Sequence, residues 1–259
     1  MYMEKEKVIE KRGKGMIIIR SKRQIVSGLL VLVLGLSTGI ALRYSSNLKT
    51  FGKGEVMRIL VDPGHGLPDG GAVGIGGTVE QEINLAIAKK LQEVLTGKGI
   101  AVVMTRSTEE GLHTEEDGIR QMKRNDMQTR LRMMKDSGAD LFLSIHMNYF
   151  TSSEVNGLRV FYAKNHPEVK LLAEEIQLRM GGVTGAKMVA VKAADANLFL
   201  MKAPPIPAIL VECGFLSNPE EEKKLNDEDY QARLAWAIAD AVEKYYKNKK
   251  DFLPDASFR

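Results

Sequence analysis

The chain has 259 residues, 44% of them apolar and 27% charged, enough to bury a core in one large domain or two small ones. Its formal charge of +4 is unevenly placed: residues 1–24 hold eight Lys/Arg against three Asp/Glu, and the rest is balanced at 29 against 30. The basic excess belongs to the tail, which excludes a nucleic-acid face on the folded part. A single cysteine, Cys213, excludes a disulfide framework or a cysteine-rich zinc module.

Residues 25–42 form an uncharged apolar run directly after Lys22 and Arg23. The run is just long enough to span a bilayer as a helix. Positive charge on its amino side predicts that 1–24 stay in the cytoplasm and everything after 42 is exported. A cleaved signal peptide competes, but the run is long for one and Gly39-Ile40-Ala41-Leu42 is a poor cleavage site, so an uncleaved anchor or signal is expected. Residues 43–55 read as a linker, 56–248 as the folded domain and 249–259 as a flexible tail.

Within the domain, apolar segments and helical periods alternate, which predicts one α/β domain with a mostly parallel twisted sheet and helices on both faces. Val56–Val61 is the first strand and 70–77 a glycine-rich loop. A helix follows over Glu80–Thr96, where Ile83, Ile87, Leu91 and Val94 share one face. Ile100–Thr105 is the next strand, 107–125 an exposed charged loop and 126–135 a second helix. Leu141–His146 and Gly157–Tyr162 are the third and fourth strands. Pro167 opens a helix to about Met180, 181–203 carries no clear pattern, and Ala208–Glu212 is a short buried strand. Tyr230, Leu234, Ile238 and Val242 mark a terminal helix by their spacing of four.

Three strands end in polar groups that are odd in a core: Asp62-Pro63-Gly64-His65, Ser144-Ile145-His146-Met147-Asn148, and Glu212-Cys213. Parallel strands would bring His65, His146 and Glu212 to one sheet edge, where ligands of open α/β sheets bind. Glu80 opens the following helix and can fold back to the same edge. Two imidazoles and a carboxylate suit Zn²⁺, and a further carboxylate suits a general base. Each residue also has a structural alternative: a turn closure for His65, a strand cap for His146, a first-turn helix carboxylate for Glu80. Glu212 is harder to place structurally, because an unpaired buried carboxylate is costly. His113 and His166 read as solvated. Cys213 beside Glu212 allows a cysteine-hydrolase reading, against which stands the ordinary behaviour of free cysteine as a small buried hydrophobe. No G-x-S-x-G elbow or G-K-[ST] phosphate loop is present.

In order and spacing, D-P-G-H-G, E-Q-E-I-N-L, T-R, A-D-L-F-L-S-I-H-M-N and A-I-L-V-E-C-G-F-L-S-N-P-E resemble the zinc-dependent N-acetylmuramoyl-L-alanine amidases, the amidase-3 family. The resemblance covers Arg58 to Tyr246 and implies a six-stranded sheet. It implies one zinc held by His65, Glu80 and His146, with Glu212 as the catalytic carboxylate. Glu80 is preferred to Glu82 because the family's ligand stands four residues before the asparagine, here Asn84. Asn148 would hold substrate or its own loop, and Arg130 a structural ion pair. The implied reaction cuts the amide between N-acetylmuramic acid and L-alanine in peptidoglycan. The alternatives are a zinc-holding domain that binds peptidoglycan without cutting it, and a zinc peptidase acting within the stem peptide.

A single export segment and a bare catalytic domain resemble, within the family, the sporulation amidases, which act on spore cortex before muramic lactam forms. That likeness implies an exported location at the outer face of the membrane, between forespore and mother-cell membranes in a sporulating cell, and an exported activating partner. Leu67 and Met147 depart from the family's usual glycine and alanine. No autoinhibitory helix is evident between the third and fourth strands.

Overall fold

The computed structural model describes residues 56–113, 118–186 and 189–251. The tail, apolar run and linker expected over 1–55 lie outside those residues, as do 252–259. Among the described residues no helix is long and apolar enough to cross a membrane.

Six strands form one sheet: β1 (Arg58–Pro63), β2 (Ala101–Met104), β3 (Leu141–Asn148), β4 (Arg159–Tyr162), β5 (Lys192–Ala193) and β6 (Ala208–Phe215), in the spatial order β2-β1-β3-β6-β4-β5. The helices are α1 (Glu80–Gly97), α2 (Ile119–Asp136), α3 (Lys170–Thr184), α4 (Pro219–Leu225) and α5 (Glu228–Asp251). β1, β2, β3 and β6 run parallel, but β4 pairs antiparallel with β6 and β5 follows β4. The sheet is therefore mixed, with two of six strands reversed. A four-residue apolar run encodes a strand but not its direction, which is why β4 differs from the expectation.

Alternation along the strands sorts the core. Ile59, Val61, Leu143, Ile145, Ile209 and Val211 face α1, α3 and α5, meeting Ile87, Leu91, Ile176, Leu234 and Ile238. Leu60, Phe142, Ala208 and Leu210 point the other way, onto Met134 of α2 and Met201. Helices thus cover both faces, three on one and α2 on the other.

Several boundaries move. α2 begins at Ile119, seven residues before the expected start and inside what reads as a loop. Its first two turns are almost wholly exposed, so no apolar stripe announces them. Good helix formers and a Gln121–Asn125 side-chain hydrogen bond of 3.0 Å support them instead. The patternless 181–203 stretch contains β5 and a 3₁₀ turn at Phe199–Met201. β1 and β6 each run past the expected end, and the helix opened by Pro167 starts as a 3₁₀ turn and closes at Gly185 in the left-handed region. No helix interrupts 149–158 between β3 and β4.

The short helix α4 ties these parts together. Asn218 caps it by accepting from the N–H groups of Glu220 and Glu221, with Pro219 at the first position. Glu221 accepts from Gly157 and Phe215 N–H, both at 2.8 Å, joining the start of β4 to the end of β6. Glu222 accepts from Gly76 at 2.7 Å and Thr78 at 3.1 Å, holding the glycine-rich loop. Glu222→Ala leaves both N–H groups without that partner and should cost about 1–3 kcal/mol. Urea unfolding should show a lower midpoint with an unchanged slope; an unchanged midpoint would mean the loop does not depend on this carboxylate.

Candidate metal centre

β1 delivers its chain to the site through a turn whose carbonyls point inward. Arg106 donates from Nε to Pro63 O at 3.0 Å and from Nη2 to Gly64 O at 2.9 Å. Arg130 donates to Pro63 O at 3.0 Å and to His65 O at 2.5 Å. Asn84 adds a hydrogen bond to Gly64 O at 3.1 Å. Both arginines are buried. Arg130 pairs with Asp62 and with Asp126, the latter at 2.6 Å, the structural ion pair expected of it. Asp62 also accepts from Thr105 and Ser144 hydroxyls, each at 2.7 Å. Burial alone would raise the Asp62 pKa, but Arg130 and these hydroxyls hold it below the usual carboxylate range. Asp62 therefore shapes the loop and does not face the site. Held this way, His65 adopts φ 60°, a conformation side chains other than glycine seldom take.

Glu80 reaches the same place from the first turn of α1. The helix has no side-chain cap; its first N–H groups donate instead to carbonyls of the glycine loop, Glu80 to Ala72 O at 2.9 Å and Gln81 to Gly70 O at 3.0 Å. The Glu80 carboxylate accepts from Ala72 N–H at 2.9 Å, Met147 N–H at 3.1 Å and Asn84 Nδ2 at 3.3 Å. Its two oxygens lie 3.2 Å from His65 Nε2 and 3.0 Å from His146 Nδ1. The imidazoles stand edge to face, with centroids 5.0 Å apart. One donor atom from each of the three residues falls within 4.8 Å of the others. The two histidine–glutamate separations match ligands about 2 Å from a shared ion, and two imidazoles with one carboxylate fit a borderline divalent cation.

Two neighbours set the ring positions. A Cβ on Gly64 would overlap the His146 ring, so the backbone of the β1 turn packs directly against that imidazole. Asp69 accepts from His65 Nδ1 at 3.1 Å and also takes Lys123 Nζ at 2.8 Å, which leaves Nε2 facing Glu80. Burial would lower the His65 pKa, but the hydrogen bonds to Asp69 and Glu80 outweigh it and raise it to about 9. Asp69, Arg106 and Asn84 are functional neighbours that sequence reasoning did not assign. For Asp69 the available signal is its i+4 spacing from His65, just before the glycine loop.

Glu212 stands beside His146 in the register of β6 on β3. Its Oε2 is buried without a hydrogen-bond partner. Burial, and next the Glu80 charge, raise its pKa to about 8. Cys213 points into the opposite core, where burial pushes the thiol upward, so it is no nucleophile. Asn148 Oδ1 accepts from the N–H of the next residue, Tyr149, at 2.8 Å. His113 and His166 are half-buried, not solvated. His166 hydrogen-bonds Pro204 O at 3.2 Å, a partner too distant in sequence to foresee. Neither joins the site.

The comparisons agree with one another. A family model described as N-acetylmuramoyl-L-alanine amidase matches residues 59–244. The germination-specific N-acetylmuramoyl-L-alanine amidase of Bacillus subtilis is 34% identical over 199 residues, 74% of this chain and 81% of that relative. The CwlD amidase of Clostridioides difficile, solved in complex with the GerS lipoprotein, matches with a TM-score of 0.71 at 38% identity, covering 74% of this chain and 99% of that one. The catalytic domain of the amidase CwlV from Bacillus (Paenibacillus) polymyxa var. colistinus matches at 0.64 and 31%, covering 74% and 99%.

In protein stripped of divalent ions, folding keeps a proton on Glu212 between about pH 4.5 and 8, where the unfolded chain has released it. Stability should therefore fall as pH rises through that window, by up to about 1.4 kcal/mol per pH unit. His65, raised from 6.5 to about 9, adds a fall in the same direction above pH 6.5. Glu212→Gln should flatten the slope between pH 5 and 6.5, read from thermal midpoints. An equally steep slope in the variant would mean the Glu212 carboxyl is not held protonated by the fold.

Proposed function

This chain belongs to the N-acetylmuramoyl-L-alanine amidase family, and from that premise we propose a zinc-dependent hydrolase with His65, Glu80 and His146 as metal ligands and Glu212 as catalytic base. The observation that carries the reading is the convergence of three donors beside a buried carboxylate whose Oε2 lacks a partner. Bound by the three, zinc supplies Lewis acidity toward the amide carbonyl and toward water.

The chain's own residues do the rest. Glu212 accepts the proton of the attacking water and passes it to the departing nitrogen of L-alanine, so the amine leaves neutral. Burial and the Glu80 charge raise its pKa in the ion-free chain; a dication on the three ligands would draw it back toward the ionised form that a base needs. Glu80 is held by two backbone N–H groups and Asn84, which leaves its oxygens aimed at the imidazoles. Asn148, at the end of β3, would contact substrate from the same edge. The products are the lactyl carboxylate of N-acetylmuramic acid and a peptide beginning with free L-alanine.

We further propose spore cortex as the substrate, a step toward muramic lactam and germination, and an exported lipoprotein-type partner. The germination-specific relative and the complex of a similar amidase with a lipoprotein support both. An exported, membrane-anchored location agrees with them. Loss of the gene should then deplete muramic lactam from cortex digests while vegetative wall stays unchanged.

Glu212→Gln should lower amide cleavage of muropeptides by about 10²–10⁴-fold with zinc stoichiometry intact, whereas His65→Ala should lose zinc and cleavage together. End-group analysis should find L-alanine at the new amine; another residue there would indicate a stem-peptide peptidase. Cleavage at wild-type rate by zinc-loaded Glu212→Gln protein would overturn the assignment of the base.

A further inference from the structure

Arg159 opens β4 and pairs in register with Glu212 on β6, which pairs in turn with His146 on β3. Register partners on neighbouring strands point to the same face of a sheet. The row His146–Glu212–Arg159 therefore crosses three strands on one face at one edge, and Arg159 is its unassigned member.

The guanidinium is held but not neutralised. Its Nη1 donates to Leu158 O at 2.8 Å, and its carbon lies 5.5 Å from the centroid of the Phe215 ring. Among the described residues it forms no ion pair within 4.0 Å. Glu221 is within electrostatic reach but makes no contact with it within 4.0 Å, its oxygens accepting instead from the N–H groups of Gly157 and Phe215. A planar, half-buried cation resting on an aromatic ring, with most of its N–H donors unspent, has the donors to receive a carboxylate.

The substrate offers a carboxylate at a suitable distance. The stem peptide continues from L-alanine to a glutamate whose second carboxyl group is either free or amidated. Neighbouring strands lie about 4.8 Å apart, and one extended residue advances about 3.5 Å. With the scissile amide at Glu212, the second stem residue falls within reach of a long side chain on the next strand. We propose that Arg159 binds the free carboxylate of that second residue and makes the enzyme discriminate against its amidated form. The inference rests on the amidase reading of the site.

The test compares zinc-loaded full-length protein and its Arg159→Gln and Arg159→Lys variants on two synthetic muropeptides, one with the second-residue carboxylate free and one with it amidated. Wild type should prefer the free acid by about 10–100-fold in kcat/KM, the range of one charge-assisted bidentate contact of about 1.5–3 kcal/mol. Arg159→Gln should erase that preference through KM, leaving the amidated substrate unaffected, and Arg159→Lys should restore part of it. Equal losses on both substrates, or no loss on either, would overturn the proposal, since a purely structural arginine does not distinguish them. Binding of the free and amidated dipeptide products, followed by calorimetry, reads the same preference without turnover. If wild type cuts neither muropeptide but binds the free-acid product more tightly, the amidase reading fails and the carboxylate receptor stands.

Discussion

Three consecutive carbonyls turned inward after β1 are the constraint on which the rest of this site depends. Burying them without donors would cost several kcal/mol. Arg106 and Arg130 satisfy them, and those two buried cations need anions of their own. Asp62 and Asp126 pair with Arg130 and act on Arg106 only through space, while the Thr105 and Ser144 hydroxyls donate to Asp62. One network thus joins the ends of β1 and β2, the middle of β3 and the middle of α2. Its product is a single backbone conformation for His65 that the residue would not choose alone.

Topology explains why the centre lies where it does. β1 sits between β2 and β3, so the chain leaves β1 toward one side and returns on the other. The loops after β1 and β3 diverge there and open a crevice at their carboxyl ends. His65 follows one strand and His146 ends the other, with β6 adjoining to add Glu212. The reversed strand β4 changes what arrives next. A parallel strand would bring its carboxyl end to this edge, whereas β4 brings its first residue, Arg159, and the turn preceding it.

Much of this was legible because parallel strands buried on both faces appear as unbroken apolar runs. A histidine or glutamate that interrupts such a run is conspicuous, as His146 and Glu212 do, and His65 closes the turn that directly follows one. Glu80 needed the family resemblance to be preferred over Glu82, since both lie in the first turn of α1. The supporting residues were hidden for the opposite reason. Arg106 and Lys123 stand in polar, charged stretches and Asp69 in a glycine-flanked turn, all of which look solvated; only the fold brings Arg106 onto carbonyls, Asp69 onto an imidazole and Lys123 onto Asp69. The early turns of α2 were missed because they bury nearly nothing, and β5, two residues long, is too short to carry a period.

The contact between Gly64 and the His146 ring has a thermodynamic side. With backbone packed against it, the imidazole has surrendered its rotational freedom during folding, before any ion arrives. Capture of a cation then orders little further, so its affinity is set by desolvation and charge more than by entropy. A cation bound only by the folded chain also shifts the folding equilibrium by mass action, in proportion to the logarithm of its concentration over its dissociation constant. Methyl-sized bulk at residue 64 would move the entropic cost from folding to capture, so a bound ion would add less stability at any given concentration.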